Sequence, residues 1–497
     1  MLPFSVEATS GGGRACRVGN VLTPTALLHT SFGQPCSLTP LFLASLPSVT
    51  AAGVRFGHML GHESYVSTSG RSLSSYCNLG GRASFLTVRD PWRAPLGEAS
   101  DESLAVEQWG GRRRVSPAEY AAAACALGVD VAVTLPDELL PGRGKNRQRA
   151  SALRSARWVE ACLAAWRGAP RAPLALAFLP CTKEEDMRKE AFAATLSATL
   201  AAQGSSASSA SSASALAPGV LGYALGGLGL GESAQERSAI LAHILPQLPS
   251  HSLRYLPGIG SPAHVLQCVE AGIDVFDGDY PGVLARHGYA AGFLVDGWLE
   301  EAAGAAPQEA PVGDAGFEPL DTGGAPEGEG EKEKEGDNSE GEGAMLKRAT
   351  GGAASTARKG FSGSSTAVGE HGLALAAAAL AEDSTKLRLA GKAYAEDWAP
   401  LVAGCQCFVC AGAGALAAPG GGGGGGGATQ GSRPVVHPGH HRAYIHHLLV
   451  TQEILGTALL TLHNTHRYAA LFDRLRQAVV LGRLQEYLAW LRRVNRW

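Results

Sequence analysis

Short apolar runs alternate with helical stretches between residues 129 and 279, and this alternation restricts the fold more than any other feature. The runs are VDVAVTLP (129–136), PLALAFLP (173–180), GVLGYALGG (219–227), SLRYLPGIG (252–260) and GIDVFDGD (272–279). Helices are predicted at 146–167, 183–202 and 233–246, and after Ser261, which can cap a helix that has Pro262 in its first position. Nearly continuous apolar strands separated by helices indicate a parallel sheet covered by helices. The fold is therefore α/β, either a (β/α)8 barrel or a doubly wound sheet.

The size and composition fit a globular protein without a membrane span. The chain has 497 residues, of which 45% are hydrophobic, and no run of about 18 uncharged apolar residues occurs. The N-terminus lacks a basic region followed by an apolar stretch, so no secretory signal is expected. Seven of the ten cysteines stand singly. This distribution is typical of a reduced intracellular protein.

The formal net charge of −3 conceals a basic body. Between Glu300 and Met345, fourteen acidic residues stand beside two lysines, which leaves 40 basic and 31 acidic residues for the remainder. A segment of this composition cannot bury enough apolar surface to fold. A basic body suits a polyanionic partner such as nucleic acid.

Three cysteines within six residues, CQCFVC (405–410), predict a metal site. Thiolates hold zinc tetrahedrally, and C-x-C-x2-C places three of them on one tight loop. A downstream histidine is expected as the fourth ligand. The candidates are His437, His440, His441, His446, His447, His463 and His466. Spacing does not choose among them, because a glycine-rich run, PGGGGGGGGATQGS (419–432), separates them from the cysteines.

The C-terminal region has a helical period. Apolar or helix-compatible residues recur at steps of three and four from Arg442 to about Thr461, at Ile445, Leu448, Gln452, Leu455, Leu459 and Leu462. This pattern predicts one long amphipathic helix there, with further helix up to Trp497.

A dinucleotide site is the main alternative for the central region. GIGSPA (258–263) has the form G-x-G-x-x-A after a strand and before a helix, and Asp277 and Asp279 follow about 20 residues later. A single match of this kind is more often a capped βα turn. On this alternative the chain would be an oxidoreductase.

The segments PLVAGCQCFVC and HRAYIHHLLVTQEILGTALLTLHN resemble the zinc subdomain of the queuine/archaeosine tRNA-guanine transglycosylase family. The likeness extends through GYALGGLGLGE (222–232), RYLPGIGSP (254–262) and GIDVFD (272–277). It implies a (β/α)8 barrel and one Zn2+ per chain. The ligands it implies are Cys405, Cys407, Cys410 and His463.

The same resemblance implies a catalytic nucleophile in this chain but not most of the residues that act with it in the family. The family's attacking carboxylate corresponds to Asp277. The family's D-S/T-G-G-x-Q sequence is absent, and Pro180 stands where a base-recognising Gln is expected, which leaves Gly226, Gly227 and Leu228 as a remnant of the base pocket. The chain is therefore most similar to the eukaryotic accessory branch of the family. An active transglycosylase that uses Asp277 is the alternative.

The accessory branch implies a heterodimer with a catalytic subunit and binding of tRNA in the cytoplasm, with association with the mitochondrial outer surface left open. The reaction it supports is exchange of guanine for queuine at position 34 of tRNAs with GUN anticodons. Candidate tRNA contacts are Arg112, Arg113, Arg114 and Arg467.

Four regions are expected from these observations. Residues 1–299 form the main part of the barrel, interrupted by a Ser/Ala linker at 203–218. Residues 300–370 form a disordered acidic and Gly-rich insertion. Residues 371–497 complete the barrel and form a zinc-binding helical subdomain, with a Gly-rich insertion at 411–436.

Overall fold

The structure is a computed structural model that describes residues 4–90, 95–201, 219–304, 383–412 and 439–497, with the single residues 93, 306 and 381. The Ser/Ala linker, nearly all of the acidic segment and the glycine run lie outside these ranges. The expected insertions at 203–218, 300–370 and 411–436 therefore remain predictions from the sequence.

Eight parallel strands form a closed barrel. They are Thr25–Ser31, Ala51–Arg55, Ala83–Thr87, Val131–Val133, Leu174–Pro180, Val220–Gly226, Leu253–Leu256 and Val275–Gly278. Each strand pairs with the next, and the eighth pairs with the first, with Asp277 opposite Leu27. The (β/α)8 prediction is confirmed. The doubly wound alternative is wrong, because a closed sheet has neither edges nor a switch in strand order.

The last five barrel strands fall within the five apolar runs of the sequence. The first three barrel strands were not identified from the sequence. Their apolar runs are shorter and end in polar residues, as in TALLHTS. The interior of the barrel is packed with side chains, mostly from the strands themselves. A three-stranded antiparallel sheet (Phe4–Ser10, Gly13–Val18 and Val21–Thr23) adds Val18 and Val21 to this interior. The centre of the barrel is therefore a core, and chemistry is confined to its rim.

Helices cover the outside of the barrel. The longer ones are Pro117–Leu127, Lys145–Trp166, Glu185–Ala201, Ala234–Ile244 and Pro262–Ala271, followed by the shorter Tyr280–Arg286. Capping boxes begin two of them, at Ser116 with Glu119 and at Ser233 with Glu236. Ser261 precedes the helix that starts with Pro262, as predicted, but its hydroxyl makes no capping hydrogen bond.

Several small elements complete the N-terminal two thirds of the chain. The short helices are Pro40–Ala44, Phe56–Met59, Glu63–Thr68, Leu73–Tyr76 and Trp298–Ala302, and a 3-10 turn covers Leu245–Gln247. The strands Leu104–Gln108 and Gly111–Val115 form an antiparallel hairpin after the third barrel strand. Gln34–Pro35 pairs with the first barrel strand, and Tyr289–Ala290 pairs with Leu387–Arg388.

The C-terminal region is helical, with bounds that differ from the prediction. The helices are Phe408–Ala411, Arg442–Val450, Ile454–Val480 and Leu484–Asn495, and Lys392–Tyr394 is a 3-10 turn. No barrel strand follows Gly278 among the described residues. Within those residues, what this region adds to the barrel is helical packing. Phe472, for example, lies against Phe276 of the last strand, with ring centroids 5.8 Å apart.

The predicted continuous helix from Arg442 to Thr461 is wrong, because it is broken after Val450. Gln452 has a φ of 57°, and the N–H of Glu453 bonds to the carbonyl of Leu448 at 2.8 Å. The left-handed residue reverses the chain, so the two helices pack on each other instead of continuing. The apolar period persists across the turn because both helices have a buried face, which is why the sequence suggests one helix.

No helix within the described ranges is long and apolar enough to cross a membrane.

Candidate functional site

Asp277 lies at the carboxyl end of the last barrel strand, the rim at which barrel enzymes carry their catalytic groups. The neighbouring strand and the turn that follows it hold both of its carboxylate oxygens. The hydroxyl of Tyr255 donates to Oδ1 at 2.6 Å, and the backbone N–H of Gly258 donates to Oδ2 at 2.6 Å. Burial and the charge of Asp279 raise the pKa of Asp277 to about 6, although the bonds from Tyr255 and Gly258 act to lower it.

A second acid, Asp279, lies two residues further on and is paired with His29 of the first strand. Nε2 of His29 is also 3.1 Å from Nη2 of Arg55, and Arg55 is in turn paired with Asp90. Burial lowers the pKa of His29, but the charge of Asp279 and its hydrogen bond outweigh burial and raise that pKa to about 9. Burial acts to raise the pKa of Asp279, and His29 holds that pKa below its usual value.

The predicted remnant of the base pocket lies at the end of the sixth strand. Gly226 ends this strand opposite Pro180. The N–H of Gly227 donates to Oε1 of Glu138 at 2.6 Å, and the carbonyl of Leu228 accepts from Nη1 of Arg89 at 2.9 Å. The structure thus brings these residues and Asp277 to one rim, with Arg89 and Glu138 beside them.

Sequence reasoning missed several polar residues at this rim, among them His29, Arg55, Arg89, Glu138 and Tyr255. The signal that could have found them is position, because each lies in a barrel strand or within a few residues after one. In a parallel barrel such positions meet at one rim. The first three strands had to be located before this rule could be applied.

GIGSPA forms the turn that supports Asp277. The N–H of Gly258 is bonded to that carboxylate, and a Cβ at Gly258 would lie 2.3 Å from Nη2 of Arg89. The carbonyl of Gly260 accepts from the hydroxyl of Tyr468 at 2.6 Å. The dinucleotide fingerprint belongs to doubly wound sheets, and this chain forms a closed barrel instead.

The second candidate site is a Cys3His cluster that can hold a metal ion. Ligand atoms of Cys405, Cys407, Cys410 and His463 all lie within 4.8 Å of one another. Nδ1 of His463 is 3.4 Å from Sγ of Cys407 and 3.4 Å from Sγ of Cys410. Thiolates and imidazole at this spacing form the donor set that zinc prefers.

A backbone carbonyl on the side of the ring away from the cysteines orients His463. Its Nε2 lies 3.1 Å from the carbonyl of Ala291, which fixes the ring with Nδ1 towards the sulfurs. The next residue, Asn464, accepts from the N–H of Ala291 at 2.8 Å and donates to the carbonyls of Pro281 and Tyr289. This part of the helix is thereby tied to the segment that leaves the barrel.

A family profile described as queuine tRNA-ribosyltransferase matches residues 17–297 and 361–496. The chain belongs to the queuine tRNA-ribosyltransferase family. The matched ranges contain both the barrel rim with Asp277 and the Cys3His cluster.

Individual relatives carry the same name. The queuine tRNA-ribosyltransferase of Moorella thermoacetica is 25% identical over 398 residues, which are 80% of this chain and 69% of the relative. The queuine tRNA-ribosyltransferase accessory subunit 2 of Danio rerio is 22% identical over 473 residues, 93% of this chain and 90% of the relative. A shorter match to the enzyme of Lachnoclostridium phytofermentans is 49% identical over 69 residues, 14% of this chain and 18% of the relative.

The other candidate histidines of this queuine tRNA-ribosyltransferase family member have different surroundings. His466 is the nearest, with Nδ1 4.0 Å from Sγ of Cys405. His441 caps the helix Arg442–Val450, and His446 lies 2.8 Å from the carbonyl of Leu389. His440 stacks on Tyr444, His447 is exposed, and His437 lies outside the described residues.

The candidate tRNA contacts divide into two groups. Arg112, Arg113 and Arg114 lie on the exposed strand Gly111–Val115, where Arg112 pairs with Glu98 at 2.7 Å. Arg467 is only 4% exposed, and its guanidinium donates to the carbonyl of Phe293. Its prediction as a tRNA contact is corrected, because a buried guanidinium bonded to backbone cannot reach a phosphate.

Proposed function

We propose that this chain is the non-catalytic accessory subunit of a queuine tRNA-ribosyltransferase. In this role it pairs with a separate catalytic subunit and supports exchange of guanine for queuine at position 34 of tRNAs with GUN anticodons. The similarity to an accessory subunit 2 over 93% of the chain supports the proposal.

The observation that carries the proposal is the isolation of Asp277 at the rim. Displacement of a base by a carboxylate needs a second group that moves protons. Each neighbouring carboxylate is held by a cation: Asp279 by His29, Asp90 by Arg55 and Glu138 by Arg89. A carboxylate oxygen that is engaged by a neighbouring cation is not placed to exchange a proton with a base at Asp277. Pro180 also supplies neither the amide nor the N–H that would read a base.

We further propose that the Cys3His cluster binds one Zn2+ per chain through Cys405, Cys407, Cys410 and His463. Four protein ligands leave no open position for a reacting water, so this zinc is structural. When bound, it joins the cysteine loop to the helix Ile454–Val480. The geometry of the cluster and the identity of its donors support this assignment.

A surface for the catalytic subunit is proposed around the break between the two C-terminal helices. Ile454 is 84% exposed, and Val450 and Leu455 beside it are also exposed. Of the leucines that the sequence pattern groups with them, Leu448 and Leu459 are buried in the chain's own core. Exposed aliphatic side chains on a rigid helical turn are suited to the apolar centre of a subunit interface.

For tRNA, we propose contacts through the hairpin that carries Arg112, Arg113 and Arg114. Trp109 at its tip is 79% exposed and can stack on an unpaired base. Ion pairs do not separate the hairpin from the C-terminal arginines, since Arg112 pairs with Glu98 and Arg113 with Glu119, as Arg492 does with Glu270. The hairpin is the stronger candidate because three exposed arginines follow one another there close to the exposed Trp109, and its contribution should weaken with salt.

One observation favours the alternative of an active transglycosylase. Asp277 is held by two donors in a buried position, with a pKa of about 6, as a nucleophile would be. Guanine exchange into an anticodon stem-loop separates the two functions. The isolated chain should be inactive and the pair active, and Asp277→Asn in this chain should leave the rate of the pair unchanged. A tenfold loss, about 1.4 kcal/mol of barrier, in an intact pair would establish the active alternative.

Pair formation is followed by size-exclusion chromatography with the catalytic subunit. Ile454→Glu should weaken the pair, since it places a charge in the proposed interface. Val480→Glu is the matched control, because Val480 is 63% exposed at the other end of the same helix. A chain that stays monomeric in the presence of the catalytic subunit would contradict the accessory role.

A further inference from the structure

The side chain of Arg89 fills the space between the base-pocket remnant and Asp277. It is only 6% exposed although it lies at the open rim of the barrel. Nη1 donates to the carbonyl of Leu228 at 2.9 Å and to Oε1 of Glu138 at 2.9 Å, and Nη2 donates to the carbonyl of Gly229 at 2.8 Å. Nη2 also lies against Gly258, the residue whose N–H holds Asp277.

The acceptors around this guanidinium are fixed independently of it. Gly227 and Gly229 have positive φ values of 82° and 67°, which turn the loop after the sixth strand. Glu232 accepts from the N–H groups of Gly229 and Leu230 at 2.8 and 2.9 Å. Oε1 of Glu138 is held by the N–H of Gly227. Two carbonyls and a carboxylate thus form a rigid acceptor site for a planar group with several N–H donors.

The guanidinium group of arginine and the base guanine both present a planar edge with several N–H donors. The N1–H and the exocyclic amine of guanine are part of a guanidine unit, and 7-deazaguanines retain both. Adenine lacks this pair of donors and offers an acceptor at N1 instead. A site that binds the fork of Arg89 therefore has the chemistry to bind a guanine edge and to reject adenine.

We propose that Arg89 occupies the base pocket as an internal guanidine, and that the pocket binds a free guanine-type base only when this side chain is removed. Arg89 is thus a specificity-determining residue that excludes the base from this subunit. The inference rests on the proposed function in one respect, the identification of Gly226, Gly227 and Leu228 as a base pocket.

The test is binding of queuine to the isolated chain by calorimetry, with adenine as the comparison base. Wild type should bind neither base detectably at millimolar concentration. Arg89→Ala should bind queuine at least tenfold more tightly than wild type does, and should not bind adenine. Millimolar guanidinium chloride should also raise the melting temperature of Arg89→Ala and compete with queuine.

Arg82→Ala is the matched control. Arg82 is a buried arginine whose guanidinium donates to the carbonyls of Leu43, Leu46 and Leu79, and no acidic side chain in the described part of the chain bonds to it. Guanidinium can fill that space also, but queuine should gain no affinity. If Arg89→Ala does not fold alone, it is prepared in millimolar guanidinium chloride, which can pair with Glu138 in the vacated space, and queuine binding is then measured by competition with guanidinium.

Two results would overturn the proposal. One is queuine binding to wild type as tight as to the variant, which would mean that Arg89 does not close the pocket. The other is a folded variant without any gain for queuine. Neither measurement uses tRNA or the catalytic subunit, so failure here leaves the accessory role standing, and failure to form the pair leaves this inference standing.

Discussion

The hydroxyl of Tyr255 lies 2.6 Å from Oδ1 of Asp277 and donates a hydrogen bond to it across two neighbouring barrel strands. Both groups are buried, so the bond has no competition from water. A hydrogen bond to a buried carboxylate contributes about 1.5–3 kcal/mol when the carboxylate is ionised. The arrangement that would present a nucleophile is therefore also one that stabilises the folded barrel.

Tyr255→Phe should lower the free energy of unfolding by about 2 kcal/mol at pH 7.5. The cost should be smaller at pH 5. The pKa of Asp277 is already raised to about 6, so at pH 5 its carboxyl is largely protonated and a donor to it contributes less. Urea unfolding of both proteins at the two pH values measures the difference.

Tyr120→Phe is the control for this measurement. The hydroxyl of Tyr120 is also buried and donates to the carbonyl of Val133 at 2.5 Å, a neutral acceptor. Its cost should be about 1 kcal/mol and independent of pH. Equal pH dependence in the two variants would show that Asp277 does not titrate in this range.

His463→Ala should abolish zinc binding, whereas His466→Ala should retain one equivalent. Among the described residues, only His463 is grouped with all three cysteines, and its other nitrogen faces the carbonyl of Ala291. Loss of one of four ligands removes much of a binding free energy of about 10–16 kcal/mol for structural sites. Elemental analysis and melting temperature with and without chelator provide the measurement. Zinc retained by His463→Ala and lost by His466→Ala would reverse the ligand assignment.

The pair of His29 and Asp279 should make stability fall in alkaline solution. The pKa of His29 is raised from 6.5 to about 9, so its stabilising contribution is complete below pH 6.5 and is lost as pH rises through 9. The loss is at most about 3 kcal/mol. Asp279→Asn should remove most of this slope, because the buried imidazole then has no acid to keep it protonated.

Denaturant unfolding between pH 6.5 and 9.5 measures this slope. Glu486→Gln, which removes an exposed acid paired with Arg483, should keep the slope of wild type. The pKa of the neighbouring Asp277 is about 6, below this pH window, so its titration contributes little to the slope. An unchanged slope in Asp279→Asn would mean that His29 is neutral at pH 7.

The sequence alone predicted the class of fold and five of the eight strands. It succeeded from residue 129 onward because those strands are buried on both faces and read as continuous apolar runs. It did not separate the two C-terminal helices, because a left-handed turn at Gln452 leaves the apolar period of both helices in register. Local patterns report which faces are buried, and they do not report where a chain reverses.

At the two sites the sequence determined which chemistry was available, and the tertiary structure decided which residues take part. The spacing of Cys405, Cys407 and Cys410 predicts a metal loop, but His463 was chosen through resemblance, and only the packing of distant helices brings it to the cysteines. Arg89 and Glu138 carry no motif, and they are 139 and 89 residues from the backbone groups of Leu228 and Gly227 that they bind. Barrel closure brings such separated residues together at one rim. Local sequence patterns carry no information about contacts between residues so far apart in the chain.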